Sequence, residues 1–316
     1  QSGSNNQTMR NRIINGAMVI DQRNNGAAIT ADNTAFAVDR FRTYMETNGK
    51  GTVQQNAGGV TPPAGFTNYL GYTSNTTYSP ASSESYCLSH RIEGFNMADF
   101  AWGTANAQPV TLSFWVRSSL TGLNGGSLLN SAANRCYIFS YTISAANTWE
   151  YKTVTIPGDT SGTWLTTNGI GIQIYWNLGS NANRSSTPGS WLTSFLTAPT
   201  GAVNILGTNG ATFYITGVQL EEGTAASPFE NRLYGTELNL CQRYFQIVGG
   251  ISIEHWAPGV MNNNRINIIY GLKQTMRAAP SFSATSFGSS FSDLTIYFGT
   301  GALSAVSYTH LRAHET

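Results

Sequence analysis

Charge is what this sequence has least of: charged residues make up 10% of its 316 positions, against about 25% in ordinary soluble domains. The 17 Lys and Arg nearly cancel the 16 Asp and Glu, and no run of like charge occurs, so the electrostatic footprint of a nucleic-acid binder is missing. No stretch reaches the roughly 18 consecutive apolar residues that span a bilayer, and the polar opening, Gln1 to Arg10, lacks the apolar core of a signal peptide. Cysteine is scarce as well. Cys87, Cys136 and Cys241 are odd in number, far apart and in no C-x-x-C arrangement, which suggests neither a disulfide framework nor a zinc site. They read as buried thiols. Reduced cysteine suits assembly in a cytoplasm, with a Cys87 to Cys136 bridge left open.

What is present points to β-structure. Hydrophobic residues at 41% and aromatics at 12% provide a core, and 33 glycines imply many turns rather than long helices. The length suits one large domain with a smaller partner. Period-two alternation recurs over residues 110–220, the pattern of a sandwich or barrel. Within it, Val110, Leu112, Phe114 and Val116 share one face, and Thr111, Ser113, Trp115 and Arg117 the other. Runs of strand character also cover residues 136–144, 149–156, 169–178 and 211–220. Leu112, Phe114, Val116, Ile172, Ile174, Val218 and Leu220 are the expected core. Pro157-Gly158-Asp159 and Thr187-Pro188-Gly189 are turn signals, and Gly122 to Gly126 reads as a hairpin loop. Residues 49–65 and 178–190 read as functional-length loops, and the one helical candidate is 237–245.

Catalysis finds few candidates. Glycoside hydrolysis needs two carboxylates about 5–9.5 Å apart, and only Glu93, Asp99, Glu150 and Asp159 are plausible. Glu150 alternates with Lys152 on a strand surface, Asp159 sits in a turn, and Asp99 lies in a loop, so each has an ordinary structural explanation. His90 and His255 are the available bases, no G-x-S-x-G elbow occurs, and Gly122 to Gly126 lacks the Lys-Ser/Thr ending of a phosphate loop. The expectation is a protein that is not an enzyme, with no cofactor. A structural calcium has only Asp39 or Glu221 to hold it.

Sugar recognition needs aromatic faces together with amide, hydroxyl and guanidinium groups. Trp115 lies beside Arg117 on one polar strand face, and Gln173, Tyr175 and Asn177 share another. If the two faces adjoin across a concave sheet, with Arg135 and Tyr137 joining them, these seven residues form the expected ligand site. Trp149 and Trp102 are assigned to packing.

Four stretches carry a resemblance. Asn11-Arg12-Ile13-Ile14-Asn15-Gly16 with Asp21-Gln22-Arg23 and Val38-Asp39-Arg40-Phe41 resembles the opening of a bacteriophage tail-fibre sandwich domain. Thr111 to Arg117 with Thr148 to Asp159 resembles its middle, and Phe213 to Gly223 its closing strand, which is shared with carbohydrate-binding modules. Pro228-Phe229-Glu230, Tyr234-Gly235, Glu237-Leu238 and Leu240 to Tyr244 resemble the junction that follows, and Met276 to Pro280 the M-R-A-x-P strand of a terminal fibre domain. The resemblance covers most of residues 11–245. It implies an all-β fold, an antiparallel jelly-roll β-sandwich over residues 11–225, then a linker at 226–240 and a smaller, truncated β domain at 241–305. It also implies a virion location at the phage tail, recognition of bacterial surface polysaccharide, other tail proteins as partners and a homotrimer. The charge balance and the lack of a long apolar run separately argue for no nucleic-acid partner and no membrane insertion. A capsule or peptidoglycan depolymerase, or a purely structural virion module, are the alternatives.

The last eleven residues, Val306 to Thr316, resemble one reading frame of a transposon-type sequencing adaptor. They are expected to stand outside the fold, and residues 1–10 to be a remnant of an upstream region. Both ends are thus expected to be cuts in a longer reading frame.

Overall fold

The computed structural model describes residues 9–247, and beyond them 259–262, 265–268, 272–283, 296–298, 301–303 and 310–313. The chain divides into two compact units, residues 1–234 and 235–316.

In the first unit, fifteen strands follow one another: β1 (Ile29–Thr30), β2 (Phe36–Val38), β3 (Phe41–Met45), β4 (Gly51–Gln55), β5 (Leu70–Ser74), β6 (Ser85–Glu93), β7 (Val110–Ser118), β8 (Gly122–Leu129), β9 (Cys136–Ile143), β10 (Glu150–Ile156), β11 (Ile170–Ser180), β12 (Ser185–Ser186), β13 (Trp191–Leu192), β14 (Ala198–Pro199) and β15 (Thr212–Glu222). Thirteen of them build two sheets, one of six strands in the order β1-β4-β5-β15-β7-β10 and one of seven in the order β13-β9-β8-β11-β6-β3-β2. Every pairing inside these two sheets is antiparallel, and the chain passes repeatedly from one sheet to the other. This is a jelly-roll sandwich.

The alternation in the sequence fixes which side of each strand is inside. Leu112, Phe114 and Val116 of β7, Ile172 and Ile174 of β11, and Val218 and Leu220 of β15 are all fully buried in one core. Burying a side chain of this kind contributes about 1.5–3 kcal/mol. Trp176 joins them, its ring centroid 6.1 Å from that of Phe114.

The N-terminal motif is a set of backbone ties. Asn11 accepts from the Leu220 N–H at 3.1 Å and donates to the Val218 carbonyl at 3.2 Å. Asn15 donates to the Ile20 and Asp39 carbonyls, both at 2.8 Å, and accepts from the Ile20 N–H at 2.9 Å. Buried amides matched in this way tie residue 11 to the closing strand and residue 15 to residues 20 and 39. Glu230 takes the Asn11 N–H at 2.9 Å and Arg232 donates to the Ile13 carbonyl at 3.0 Å, so the segment after β15 grips the same stretch.

Two expectations of local structure need correction. Gly122 to Gly126 is the first part of strand β8, not a hairpin loop. A Cβ on Gly126 would lie 1.8 Å from the Tyr175 carbonyl oxygen, and one on Gly125 2.1 Å from that of Phe139. The glycines are there because neighbouring backbones come too close for any side chain. The helix is α1 (Tyr234–Gln242), earlier than 237–245, and β16 (Phe245–Ile247) already follows it. The cysteines are free and buried, as their spacing suggested, and the alternative of a Cys87 to Cys136 bridge is closed. Those two lie on β6 and β9, three strands apart in one sheet, about 14 Å and beyond disulfide reach.

The second unit contains β16, β17 (Gly259–Asn262), β18 (Arg265–Ile268), β19 (Pro280–Ser283), β20 (Ile296–Phe298), β21 (Gly301–Leu303) and β22 (His310–Ala313). They form a three-stranded sheet, β16-β22-β19, and two hairpins. Strand β22 falls in the adaptor-like segment that was expected to stand outside the fold, yet it pairs with both β16 and β19. Backbone pairing asks little of side-chain identity.

His90 on β6 is fully buried against Phe41, ring centroids 4.8 Å apart, with Nε2 donating to the Ile14 carbonyl at 3.1 Å. Burial, reinforced by the Arg40 charge, drives its pKa well below the usual histidine range. Above about pH 6.5 the ring is neutral both folded and unfolded. As pH falls below that, the unfolded chain takes up a proton that the native state refuses, so stability is lost, by at most about 1.4 kcal/mol per pH unit for this one group. Denaturant unfolding at pH 7.5 and pH 5 should show the loss, and His90→Gln should flatten the dependence in that window. An unchanged slope in the variant would assign the acid sensitivity to other groups.

Candidate functional site

The outer face of the six-stranded sheet is read directly from its register. Trp115 on β7 stands between Tyr151 on β10 and Thr216 on β15, and Ser113 between Thr153 and Gln219. Arg117 pairs with Tyr214 on one side. On the other, Glu150 faces Val116, which puts Trp149 level with Arg117. One end of the face therefore gathers Trp115, Arg117, Trp149, Tyr151 and Tyr214, and hydroxyl side chains continue along it.

These side chains touch. The rings of Trp115 and Tyr151 are 5.4 Å apart and tilted by 48°. The Arg117 guanidinium lies 5.5 Å from the centre of the Tyr214 ring, and its Nε donates to the Asn147 carbonyl at 3.0 Å. Tyr214 packs on Tyr69 at 5.1 Å, and Tyr69 on Trp149 at 5.5 Å. Burial pushes the Tyr69 phenol up, with the Arg117 charge pulling the other way. Tyr151 is 44% exposed, while Trp115, Arg117 and Trp149 are half-buried.

A wall rises beside this patch from residues 56–69. Trp149 Nε1 donates to the Thr61 carbonyl at 2.9 Å, and Tyr69 takes the Val60 N–H on its hydroxyl at 2.9 Å while donating to the Ala57 carbonyl. Glycines make room for it. A Cβ on Gly71 would sit 2.5 Å from that of Ala57, and one on Gly217 would sit 2.6 Å from the Phe66 ring and 3.1 Å from Trp115. Gly217 also has φ +60° and lies at the register shift between Thr216 and Gln219, a bulge of the sort that re-aims neighbouring side chains. Farther along the face, the segment after β15 closes it: Thr155 donates to the Thr224 carbonyl at 3.0 Å, and Gln219 to Ser227 Oγ at 3.2 Å.

Gln173, Tyr175 and Asn177 are elsewhere. They belong to β11, in the seven-stranded sheet, and project from its outer side. The expectation that their face adjoins that of Trp115 and Arg117 is therefore wrong: the two faces are on opposite outer sides of the sandwich. Alternation within each strand was legible, but membership of the same sheet was not. The β11 face is also roofed. Phe195, Leu192 and Leu196 pack over Tyr175, Cys87, Leu129, Cys136 and Ile138. Gln173 donates to the Asn130 carbonyl at 3.0 Å and accepts from the Tyr175 hydroxyl at 3.3 Å, and Asn177 accepts from Ser180 Oγ at 2.6 Å.

Arg135 and Tyr137 join neither face. Tyr137 points inward and packs on Trp191 at 5.3 Å. Trp191 in turn meets Trp102 at 5.3 Å and Trp164 at 5.4 Å. Arg135 makes a bidentate pair with Asp159, its Nε 2.9 Å from Oδ2, and Trp164 Nε1 donates to the same oxygen at 3.2 Å. Sequence reading missed Tyr151 as a site residue; the exposed half of the 149–156 alternation was the available signal.

The acids considered for catalysis have separate settings. Asp159 is held by Arg135, and Asp99 pairs with Arg12. Glu150 accepts from the Ser144 and Ala145 N–H groups at 2.8 and 2.9 Å and from Lys152 at 2.6 Å. Glu93 is buried at the end of β6, and His255 lies outside the described residues. For calcium, Asp39 accepts from the Gln22 side chain and from Arg23 at 3.1 Å, and Glu221 from the Ser227 N–H at 2.8 Å and its Oγ at 2.6 Å. No group of three or more His, Cys, Asp or Glu able to hold a metal occurs among the described residues, and no helix among them is long and apolar enough to cross a membrane.

No family model matches the chain, and no curated protein matches it. Among solved structures it is similar to a putative sugar-binding protein from Bacteroides thetaiotaomicron, at 14% identity and TM-score 0.39, over 67% of this chain and 100% of that one. It is also similar to the enzymatically active domain of tailspike protein 4 of bacteriophage CBA120, at 12% identity and TM-score 0.35, over 62% of this chain but only 22% of that one. A third is TmCBM61 in complex with β-1,4-galactotriose, at 11% identity and TM-score 0.32, over 58% of this chain and 88% of that one. Likenesses at this level assign neither a family nor a ligand to the chain.

The Arg135–Asp159 pair bears on stability. The Asp159 side chain is 2% exposed and that of Arg135 14%, so Arg135→Ala leaves a buried carboxylate without its main partner, at an expected cost of about 3 kcal/mol. Urea unfolding should show that loss. A variant as stable as the parent would mean that solvent replaces the guanidinium, and would return Arg135 to the set of residues open to a ligand.

Proposed function

We propose that the chain is a non-catalytic receptor-binding component of a bacteriophage tail fibre. Its sandwich takes up bacterial surface polysaccharide on the outer face of the six-stranded sheet. The observation that carries the binding role is the aromatic patch of Trp115 and Tyr151 beside Arg117, backed by the packed Trp149, standing on strands whose inner side chains already fill the core. Aromatic faces suit the apolar side of a sugar ring, and guanidinium and hydroxyl groups suit its edge. The phage assignment rests on the ordered motifs between Asn11 and Tyr244, which also imply assembly as a homotrimer with other tail proteins in the virion, acting outside the host cell. Binding is favoured over hydrolysis because Asp99, Glu150 and Asp159 are each held by a different cation, whereas glycosidases set two carboxyl groups about the scissile bond.

Trp115→Ala tests the reading. Binding to purified host polysaccharide should weaken by about 1–3 kcal/mol, the scale of one well-made contact, while stability falls by no more than about 1 kcal/mol. Titration calorimetry and thermal unfolding on the same preparations separate the two effects. Loss of folding with unchanged affinity per folded molecule would place the binding site away from this patch.

A further inference from the structure

We propose that the polysaccharide is acidic, with a sugar carboxylate seated on Arg117 beside a ring stacked on Trp115. The inference rests on the glycan-binding reading above and specifies its ligand. Arg10, Arg12, Arg23, Arg135 and Arg232 are each matched to a carboxylate. Arg117 is not: among the described residues its contacts are the Asn147 carbonyl, taken by Nε, and the Tyr214 ring beneath it. Neither of its terminal nitrogens makes a hydrogen bond among the described residues, and Trp115 shares its strand face. Glu150, on the neighbouring strand β10, pairs with Val116, follows the inner alternation of β10 and is bound by Lys152.

The arginine is held ready rather than loose. Nε is anchored at 3.0 Å, and Tyr214 is 4% exposed and itself packed on Tyr69. Holding the guanidinium in advance removes much of the side-chain entropy that forming a two-point contact would otherwise cost. Its open edge presents parallel N–H donors, the arrangement that a carboxylate accepts in bidentate fashion. A neutral hydroxyl would satisfy one donor and leave the charge unmatched. Trp115 and Arg117 are two residues apart on one strand face, about 7 Å, close enough for a single sugar residue to stack on one and present its carboxylate to the other.

A panel of bacterial capsular polysaccharides, each in its native form and with its carboxylates reduced to alcohols, tests this with the full chain. At least one native polymer should bind, and carboxyl reduction should weaken it about tenfold or more, the scale of losing a charged hydrogen-bonded pair. Arg117→Gln should produce the same loss on the native polymer and none on the reduced one, with unchanged thermal unfolding, and Arg117→Lys should recover part of it. A polymer that binds equally in both forms, is indifferent to Arg117→Gln and is lost in Trp115→Ala would overturn the acidic assignment and leave glycan binding standing. If no polymer of the panel binds in either form, the glycan reading falls and the inference falls with it.

Discussion

Strand β7 is paired on both sides, to β15 and to β10, and its even-numbered side chains Leu112, Phe114 and Val116 have no exposure to solvent. A strand in that position cannot slip by one residue without turning its apolar side chains into water. The same constraint holds Trp115 and Arg117 outward. Their direction is a consequence of the core rather than of anything local to the site, and Tyr151 is aimed by the corresponding alternation of β10. Core and recognition face are two sides of one register.

Pointing outward does not keep a side chain open, and parts of the outer surface of this sandwich are covered. Segment 192–196 roofs the β11 face, and residues 224–229 lie over the middle of the six-stranded sheet. The loop at 56–69 runs beside Trp115 and walls the patch, seated by the missing side chains of Gly71 and Gly217. The asparagine ties at Asn11 secure β15. The patch that remains is aromatic with one arginine in its midst.

The sequence made the sandwich legible because period two is a property of single strands. All seven residues expected in the core are there, and Trp115 and Arg117 share the face anticipated for them. Information carried by distant partners was not legible. Nothing near Tyr175 or Gln173 in sequence says that β11 belongs to the opposite sheet or that Phe195 covers it. Nothing near Arg135 announces Asp159, 24 positions away. Gly125 and Gly126 looked like a turn because glycine marks a tight turn and a close backbone approach alike, and only the neighbouring strands distinguish the two.

The central claim is a place, the outer face of β7 and β10, and the most direct measurement is a structure of the chain with a bound oligosaccharide cut from the polysaccharide it retains. The account predicts a sugar ring against the Trp115 indole, with Tyr151 beside it and the Arg117 guanidinium at its edge. Sugar seated instead on the opposite sheet, against Gln173 and Tyr175 with the 192–196 segment displaced, would contradict it.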